Sequence, residues 1–284
     1  MQFGASMFFT DYSMQPSELA RALEERGFDT LWAPEHSHIP VSRKTAFVLG
    51  GDLPKKYYDV MDPFVSLAAA AVASRTLKLG TGVCLVAQRD PIQTAKLVAS
   101  IDQVSGGRFL FGVGTGWNQD EMENHGTPYA ARNKIARERI EAMKEIWTKP
   151  EAEYHGEFVD FGPIMAWPKP VQKPYPPILV GGAFPYSARR AVRYGDGWMP
   201  QVTQSAREPL IELIPRFRQM AAEAGRDPST LQVNIGAQPP DLDLIARYRD
   251  IGVDRVSPSL ESANADAILP VLDRWADIIR KVRG

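Results

Sequence analysis

The chain has 284 residues, of which 44% are hydrophobic and 24% are charged, as in an ordinary folded globular protein. Its 33 lysines and arginines nearly balance 34 aspartates and glutamates, and the net charge of −1 gives no global field that would attract nucleic acid or an anionic membrane. The single cysteine, Cys84, excludes an internal disulfide and a cysteine-rich metal site.

The start of the chain lacks the basic segment and apolar stretch of a secretory signal. The alanine-rich run 65–73 is too short to span a bilayer. We therefore expect a cytoplasmic protein that has no membrane or nucleic-acid partner.

Short apolar runs alternate with amphipathic segments along the chain, which is typical of βα units with a parallel sheet. Strands are predicted, in chain order, at residues 3–9, 30–33, 77–85, 109–113, 177–180, 197–200, 231–235 and 255–258. Helices are predicted at residues 17–25, 62–74, 91–104, 136–147, 187–194, 209–224 and 268–282.

This alternation fits a TIM barrel better than an open doubly wound sheet. A doubly wound sheet that binds dinucleotides carries a glycine-rich fingerprint after its first strand, and none follows residues 3–9. We predict one α/β domain over residues 1–284, a (β/α)8 barrel, with insertions at about residues 37–61 and 150–177.

The carboxyl-terminal ends of barrel strands carry the active site, and this rule selects the candidate residues. They are Glu35 and His36 after the second strand, Gly82 and Val83 after the third, Thr115, Trp117 and Asn118 after the fourth, and Gly181, Gly182 and Ala183 after the fifth.

Two of these positions have a clear chemical interpretation. Gly181 and Gly182 precede a predicted helix, where free backbone N–H groups form an anion site, although an ordinary βα turn would also use glycine there. Histidine as a residue type serves in acid–base chemistry at neutral pH, and His36 is such a candidate, which Glu35 could orient. A packing histidine is the alternative. A metal site with His38 lacks a third well-spaced ligand, so we expect no metal.

Several blocks, in the same order, resemble the bacterial-luciferase-like superfamily of flavin- and deazaflavin-dependent oxidoreductases, and most of all its coenzyme F420-dependent branch. The blocks are Gly27-Phe-Asp-Thr-Leu-Trp-Ala-Pro-Glu-His36, Leu79-Gly-Thr-Gly-Val83, Arg89-Asp-Pro-Ile-Gln-Thr-Ala-Lys96, Ser105-Gly-Gly-Arg-Phe-Leu-Phe-Gly-Val-Gly-Thr-Gly-Trp117, Pro177-Ile-Leu-Val-Gly-Gly182 and Arg190-Ala-Val-Arg-Tyr-Gly-Asp-Gly-Trp198.

The resemblance implies roles for individual residues. Glu35-His36 matches the acidic residue and histidine of the deazaflavin branch, in which the acidic residue is often aspartate. Gly82-Val83 matches a non-proline cis peptide behind the central flavin ring, and Gly181-Gly182 would hold the cofactor phosphate. Thr115, Trp117, Asn118 and Ala183 complete the implied cofactor site.

One departure bears on the substrate. Sugar-phosphate dehydrogenases of the superfamily have a proton-donating glutamate where this chain has Trp117. A more apolar substrate is therefore expected. The insertions 37–61, with Phe47, Tyr57 and Tyr58, and 150–177 are expected to be lids, since long irregular loops commonly cover a site.

The function that the resemblance implies is hydride transfer between coenzyme F420 and a small organic substrate. An FMN-dependent monooxygenase, supplied with reduced flavin by a partner reductase, is the first alternative. The second alternative is a non-catalytic flavin-binding barrel, and the third is a metal-dependent hydrolase. The resemblance also implies a homodimer.

Overall fold

The computed structural model describes residues 1–42, 44–47, 50–201 and 209–284. The strands of this part of the chain are β1 (Gln2–Ser6), β2 (Thr30–Ala33), β3 (Lys78–Thr81), β4 (Cys84–Leu85), β5 (Phe109–Gly114), β6 (Ala152–His155), β7 (Asp160–Ile164), β8 (Ile178–Gly182), β9 (Gly197–Pro200), β10 (Gln232–Ile235) and β11 (Arg255–Val256).

Eight of these strands close into a parallel barrel in the order β1, β2, β3, β5, β8, β9, β10 and β11. The barrel closes where Phe3 of β1 pairs with Val256 of β11. The predicted TIM barrel is confirmed.

The helices of the described residues are α1 (Pro16–Glu25), α2 (Pro63–Ala73), α3 (Pro91–Ser105), α4 (Gln119–Asn124), α5 (Arg132–Thr148), α6 (Tyr186–Tyr194), α7 (Leu210–Glu223), α8 (Leu242–Asp250) and α9 (Ala265–Arg283). Asp62 and Asp90 cap α2 and α3 by accepting backbone N–H bonds, and a proline follows each cap. Over the described ranges, no helix is long and apolar enough to cross a membrane.

Two close contacts inside the barrel require glycine, one against the Trp32 indole and one against the Thr81 backbone. A Cβ atom on Gly80 would lie 2.2 Å from the Trp32 ring, and one on Gly112 would lie 2.0 Å from the Thr81 carbonyl oxygen. The Thr81 hydroxyl also donates to the Gly112 carbonyl at 2.7 Å. Glycine at residues 80 and 112 therefore permits this packing.

Four predicted strands are shorter in the structure. The seventh and eighth, predicted at 231–235 and 255–258, are reduced to Gln232–Ile235 and Arg255–Val256. The first ends at Ser6, although the side chains of Met7 and Phe9 beyond it are also buried and continue the apolar pattern. The third is interrupted at Gly82–Val83, whose peptide bond is cis as the resemblance implied, before β4 pairs with β5.

Three segments contain structure that the sequence pattern did not predict. Insertion 150–177 carries the antiparallel hairpin β6–β7, and α4 and α8 are additional helices. Insertion 37–61 carries one short 3-10 turn at Lys55–Tyr57, while its residues 43, 48 and 49 lie outside the described residues.

Candidate functional site

A cavity of about 490 Å³ opens at the carboxyl-terminal ends of the barrel strands. It brings together most of the predicted site residues, namely Glu35, His36, Gly82, Val83, Thr115, Trp117, Gly181, Gly182 and Ala183. Asn118 does not line it: the side chain is fully buried at the start of α4, and its amide has no hydrogen-bond partner among the described residues.

Val83 occupies the wall of the cavity between β5 and β8. A Cβ atom on Gly114 would lie 2.5 Å from Val83 Cγ2, and one on Gly181 would lie 2.8 Å from Val83 Cγ1. These two glycines therefore make room for the valine side chain. The Val83 side chain is thus a physical reason for glycine at residues 114 and 181.

His36 lies in the cavity with its Nδ1 2.8 Å from Oε2 of Glu121, and both side chains are buried. The other carboxylate oxygen, Oε1, accepts the backbone N–H of Ser37 at 3.1 Å. The carboxylate that orients the histidine is thus Glu121 of α4 and not the adjacent Glu35.

The ionisation of Glu121 follows from its partners. Burial acts to raise the pKa of this carboxyl, but the hydrogen bond and charge of His36, together with bonds from Gln88 and the Ser37 N–H, lower it below the ordinary value. An ionised Glu121 accepts a hydrogen bond from Nδ1–H of His36, which leaves Nε2 as the ring atom that can exchange a proton with a bound molecule.

Glu35 connects the end of β2 to the next βα unit. Its Oε2 accepts the Leu85 backbone N–H at 2.7 Å, and its Oε1 accepts Nε–H of Arg89 at 2.5 Å. Burial raises the pKa of the Glu35 carboxyl, while the Arg89 charge and the Leu85 N–H oppose that rise. Both oxygens are therefore engaged by protein donors, and Glu35 positions the wall that carries Val83.

An aromatic wall, made of Phe8, Phe47, Tyr57 and Trp117, lies beside His36. The His36 ring is 5.8 Å from the Trp117 ring at an edge-on angle of 70° and 5.3 Å from the Tyr57 ring. Phe47 contacts both Tyr57 and Trp117. Insertion 37–61 thus supplies part of this wall, whereas its Tyr58 is half exposed.

The prediction that insertion 150–177 is a lid is wrong, because none of its residues lines the cavity. The segment packs along α3 on the outside of the barrel, where Gln103 donates to the Lys169 carbonyl at 2.8 Å. Its prolines and its length were consistent with a cover, but its contacts are with the helix layer.

Gly182 ends β8, and α6 begins at Tyr186, so the glycine pair precedes the helix by a short turn. Arg190, one turn into α6, lines the cavity beside this pair. Its Nη2 lies 3.7 Å from where a Cβ atom on Gly182 would be, and its buried Nε has no partner among the described residues. The Arg190 guanidinium therefore places a positive charge beside Gly181 and Gly182, where the sequence predicts an anion site.

Sequence reasoning did not identify Glu121 or Arg190 as site residues. Glu121 belongs to the acidic run 120–123, which resembles a solvated helix face, and its contact with His36 spans 85 positions. Arg190 stands in a recognised block, but only its place beside Gly182 distinguishes it from the neighbouring Arg189, which is exposed. Within the described residues, no group of three or more histidine, cysteine or acidic side chains could hold a metal ion.

The family model described as luciferase-like monooxygenase matches residues 15–240. The chain belongs to this family. An uncharacterised protein of Mycobacterium tuberculosis is 40% identical over 286 residues, covering 97% of this chain and 98% of that protein.

Relatives with named activities use two different cofactors. The F420-dependent hydroxymycolic acid dehydrogenase of M. tuberculosis is 28% identical, covering 90% of this chain and 70% of that enzyme. The FMNH2-dependent dimethylsulfone monooxygenase of Pseudomonas putida is 37% identical, but over 37% of this chain and 30% of that enzyme.

Solved structures share the fold at low sequence identity. The monooxygenase RslO1 of Streptomyces bottropensis superposes with a TM-score of 0.81 at 21% identity, covering all of both chains. An F420-dependent secondary alcohol dehydrogenase superposes with a TM-score of 0.75 at 19% identity, covering 100% of this chain and 99% of that one.

Proposed function

We propose that this protein is an oxidoreductase that transfers a hydride between coenzyme F420 and a small, largely apolar organic substrate. The observation that carries the proposal is the buried His36–Glu121 pair, which faces a cavity at the strand ends of a luciferase-like barrel.

The cavity fits a planar cofactor that carries a phosphate. Val83 offers an apolar contact surface for a ring. Arg190 offers a partly buried guanidinium, whose Nε has no partner among the described residues, to a phosphate near Gly182. When bound, the deazaflavin supplies two-electron hydride chemistry. The protein residues position the ring, exclude water and move protons.

His36 has the proton-transfer role in this proposal. With Nδ1–H held by Glu121, Nε2 is available to give a proton to, or take one from, a substrate oxygen or nitrogen. The aromatic wall excludes water from the same space and favours an apolar substrate over a sugar phosphate.

Support for F420 comes from the mycobacterial F420-dependent relative, which aligns over 90% of the chain. An FMN-dependent monooxygenase is the second candidate, because the P. putida relative uses FMNH2. In that case the protein takes reduced flavin from a partner reductase. A deazaflavin lacks the nitrogen at which flavins form an oxygen adduct, so oxygen consumption separates the two.

The test uses purified protein with reduced FMN or reduced F420, a panel of small carbonyl, imine and activated-alkene compounds, and an oxygen electrode. We expect F420 reoxidation that depends on the compound and proceeds without oxygen uptake. Oxygen uptake coupled to product formation with FMN would instead establish the monooxygenase.

The phosphate contact has a separate test. Arg190→Ala should weaken binding of FMN and F420 by about 10- to 100-fold, the value of one charge-assisted hydrogen bond. Riboflavin, which has no phosphate, should bind the variant and the wild type equally. Arg189→Ala, at the exposed neighbouring position, is the matched control.

We also propose that the protein acts as a cytoplasmic homodimer. Exposed apolar side chains on the neighbouring helices α2 and α3 support the dimer, namely Val65, Val72, Leu97 and Val104. An apolar surface of this kind commonly marks a protein interface.

A further inference from the structure

A cation lies inside the barrel beneath the cavity. Arg255, the first residue of β11, is 1% exposed, and its guanidinium donates to the side-chain oxygens of Asn234 and Gln2. Its Nε has no partner, and it forms no ion pair with any carboxylate of the described residues.

The charge of Arg255 persists at neutral pH. Burial lowers the pKa of the guanidinium to about 10, although Asp29 and Asp254 act from a distance to raise it. These two aspartates accept hydrogen bonds from the backbone N–H groups of Phe3 and Val233. A buried cation without a paired anion is energetically costly, so a negative charge nearby is favoured.

Arg255 determines which way the Asn234 amide faces. A guanidinium has only donors, so the amide oxygen of Asn234 must face it, and the amide nitrogen must face the other way. Asn234 is 3% exposed and lines the cavity, and its Nδ2 has no partner among the described residues. Asn234, a residue of the cavity lining, therefore holds a buried donor that no described residue uses.

Ser257 adds a second donor at the same place. Its oxygen accepts Nε1–H of Trp32 at 3.2 Å, and its own hydroxyl hydrogen donates to no described residue. Trp32 and Ser257 also line the cavity, and the Trp32 ring lies 5.6 Å from the Arg255 guanidinium carbon. We call Trp32, Asn234 and Ser257 the cavity floor.

We propose that the cavity floor is a donor subsite for an oxygen of a planar ring ligand, and that Arg255 behind it favours the anionic form of that ligand. This inference rests on the proposed function, because the ligand that we assign is the redox cofactor, whose reduced form is the more readily anionic one. Asn234 and Ser257 would donate to a ring oxygen, and Arg255 would act on it through Asn234 as a positioning residue.

The decisive variant is Asn234→Asp, which keeps the shape of the side chain, removes the donor and gives Arg255 a counter-charge. The ratio of the affinities for reduced and oxidised FMN, and likewise for F420, is measured by anaerobic fluorescence titration. We expect this ratio to fall about tenfold in the variant, as for one hydrogen bond to a charged group. Ser257→Ala, which removes the second donor with less structural change, should lower it in the same direction.

Thermal unfolding of the ligand-free protein provides a second measurement. Asn234→Asp should raise Tm by about 2–4 °C, the shift expected for 1 kcal/mol in a chain of this size, because it completes an ion pair with Arg255. Asn264→Asp is the matched control: residue 264 is the exposed cap of α9, and aspartate caps a helix as well as asparagine does.

The outcomes are distinguishable. If the wild type binds a cofactor and Asn234→Asp leaves the reduced-to-oxidised ratio unchanged, this inference is overturned and the proposed function stands. If the wild type binds neither cofactor in either form, the proposed function fails and the inference fails with it. If Asn234→Asp has a lower Tm than the control Asn264→Asp, the new carboxylate does not stabilise Arg255. That result would contradict the claim that the Arg255 charge lacks a paired anion.

Discussion

At the scale of single residues, His36 and Glu121 form a unit, because one supplies the imidazole ring and the other fixes its tautomer. The 2.8 Å bond between them is buried, which strengthens it relative to a bond in water. The pair resembles other acid–base sites, in which a carboxylate orients a histidine without itself transferring the proton.

His36→Ala should lower turnover by about 10²- to 10⁴-fold, the usual contribution of a positioned acid or base. Cofactor affinity should change little, because the proposed cofactor contacts lie at Val83, Gly182, Arg190 and the cavity floor and not at His36. The measurement is kcat beside the cofactor Kd. An unchanged kcat would remove His36 from the mechanism.

Glu121→Gln should lower kcat by about 10- to 100-fold, a smaller effect than that of removing the histidine itself.

The same variant should also change the pH dependence of the protein's thermal stability. Because the pKa of Glu121 is lowered on folding, its contribution is present above the ordinary value of 4.5 and is lost as the pH falls through the lowered value. The Tm difference between wild type and variant should therefore narrow in acid. A difference independent of pH would contradict this account.

The sequence pattern located His36, Trp117 and the glycines because each stands at the end of a predicted strand. Asn234 and Ser257 also stand at strand ends, so the same rule could have identified them. Glu121 and Arg190 could not be identified in this way, since each stands on a helix: Glu121 contacts His36 from α4, and Arg190 lines the cavity from α6. Their roles depend on how α4 and α6 pack against the barrel, and the local sequence pattern does not specify that packing.

At the scale of elements, the packing of β3 against β5 depends on close contact between their backbones at Thr81 and Gly112. Gly112→Ala should destabilise the protein by about 1–3 kcal/mol or more, because the new methyl group would overlap the Thr81 carbonyl oxygen, a backbone atom that cannot rotate away. Urea unfolding measures the change. Gly162→Ala, where nothing lies within 4 Å of the added carbon, is the control. Equal free energies of unfolding for Gly112→Ala and Gly162→Ala would show that β3 and β5 are not tightly packed at this point.

Most elements of the barrel were predictable because each strand is a short apolar run and each helix has a buried face. The β6–β7 hairpin was not, since proline-rich flanks obscured its two short strands. The interruption at Gly82–Val83 was absent from the apolar pattern, which is continuous there. Only the resemblance indicated a break at that point.

At the scale of the whole molecule, the apolar surface of α2 and α3 predicts self-association. Val72 is 76% exposed and lies two helical turns from Val65 of α2, which is 70% exposed, so the two valines form one exposed apolar strip. Sedimentation velocity should find a dimer for the wild type and a shift towards monomer for Val72→Glu. Val41→Glu, at a fully exposed valine of insertion 37–61, should leave the dimer intact. A monomeric wild type would contradict the prediction.

The measurement that tests the central claim most directly is a fluorescence titration of the purified protein with F420 and with FMN, each oxidised and reduced. The proposed hydride transfer predicts a clear preference for F420. A preference for reduced FMN, with oxygen consumed on addition of substrate, would contradict it.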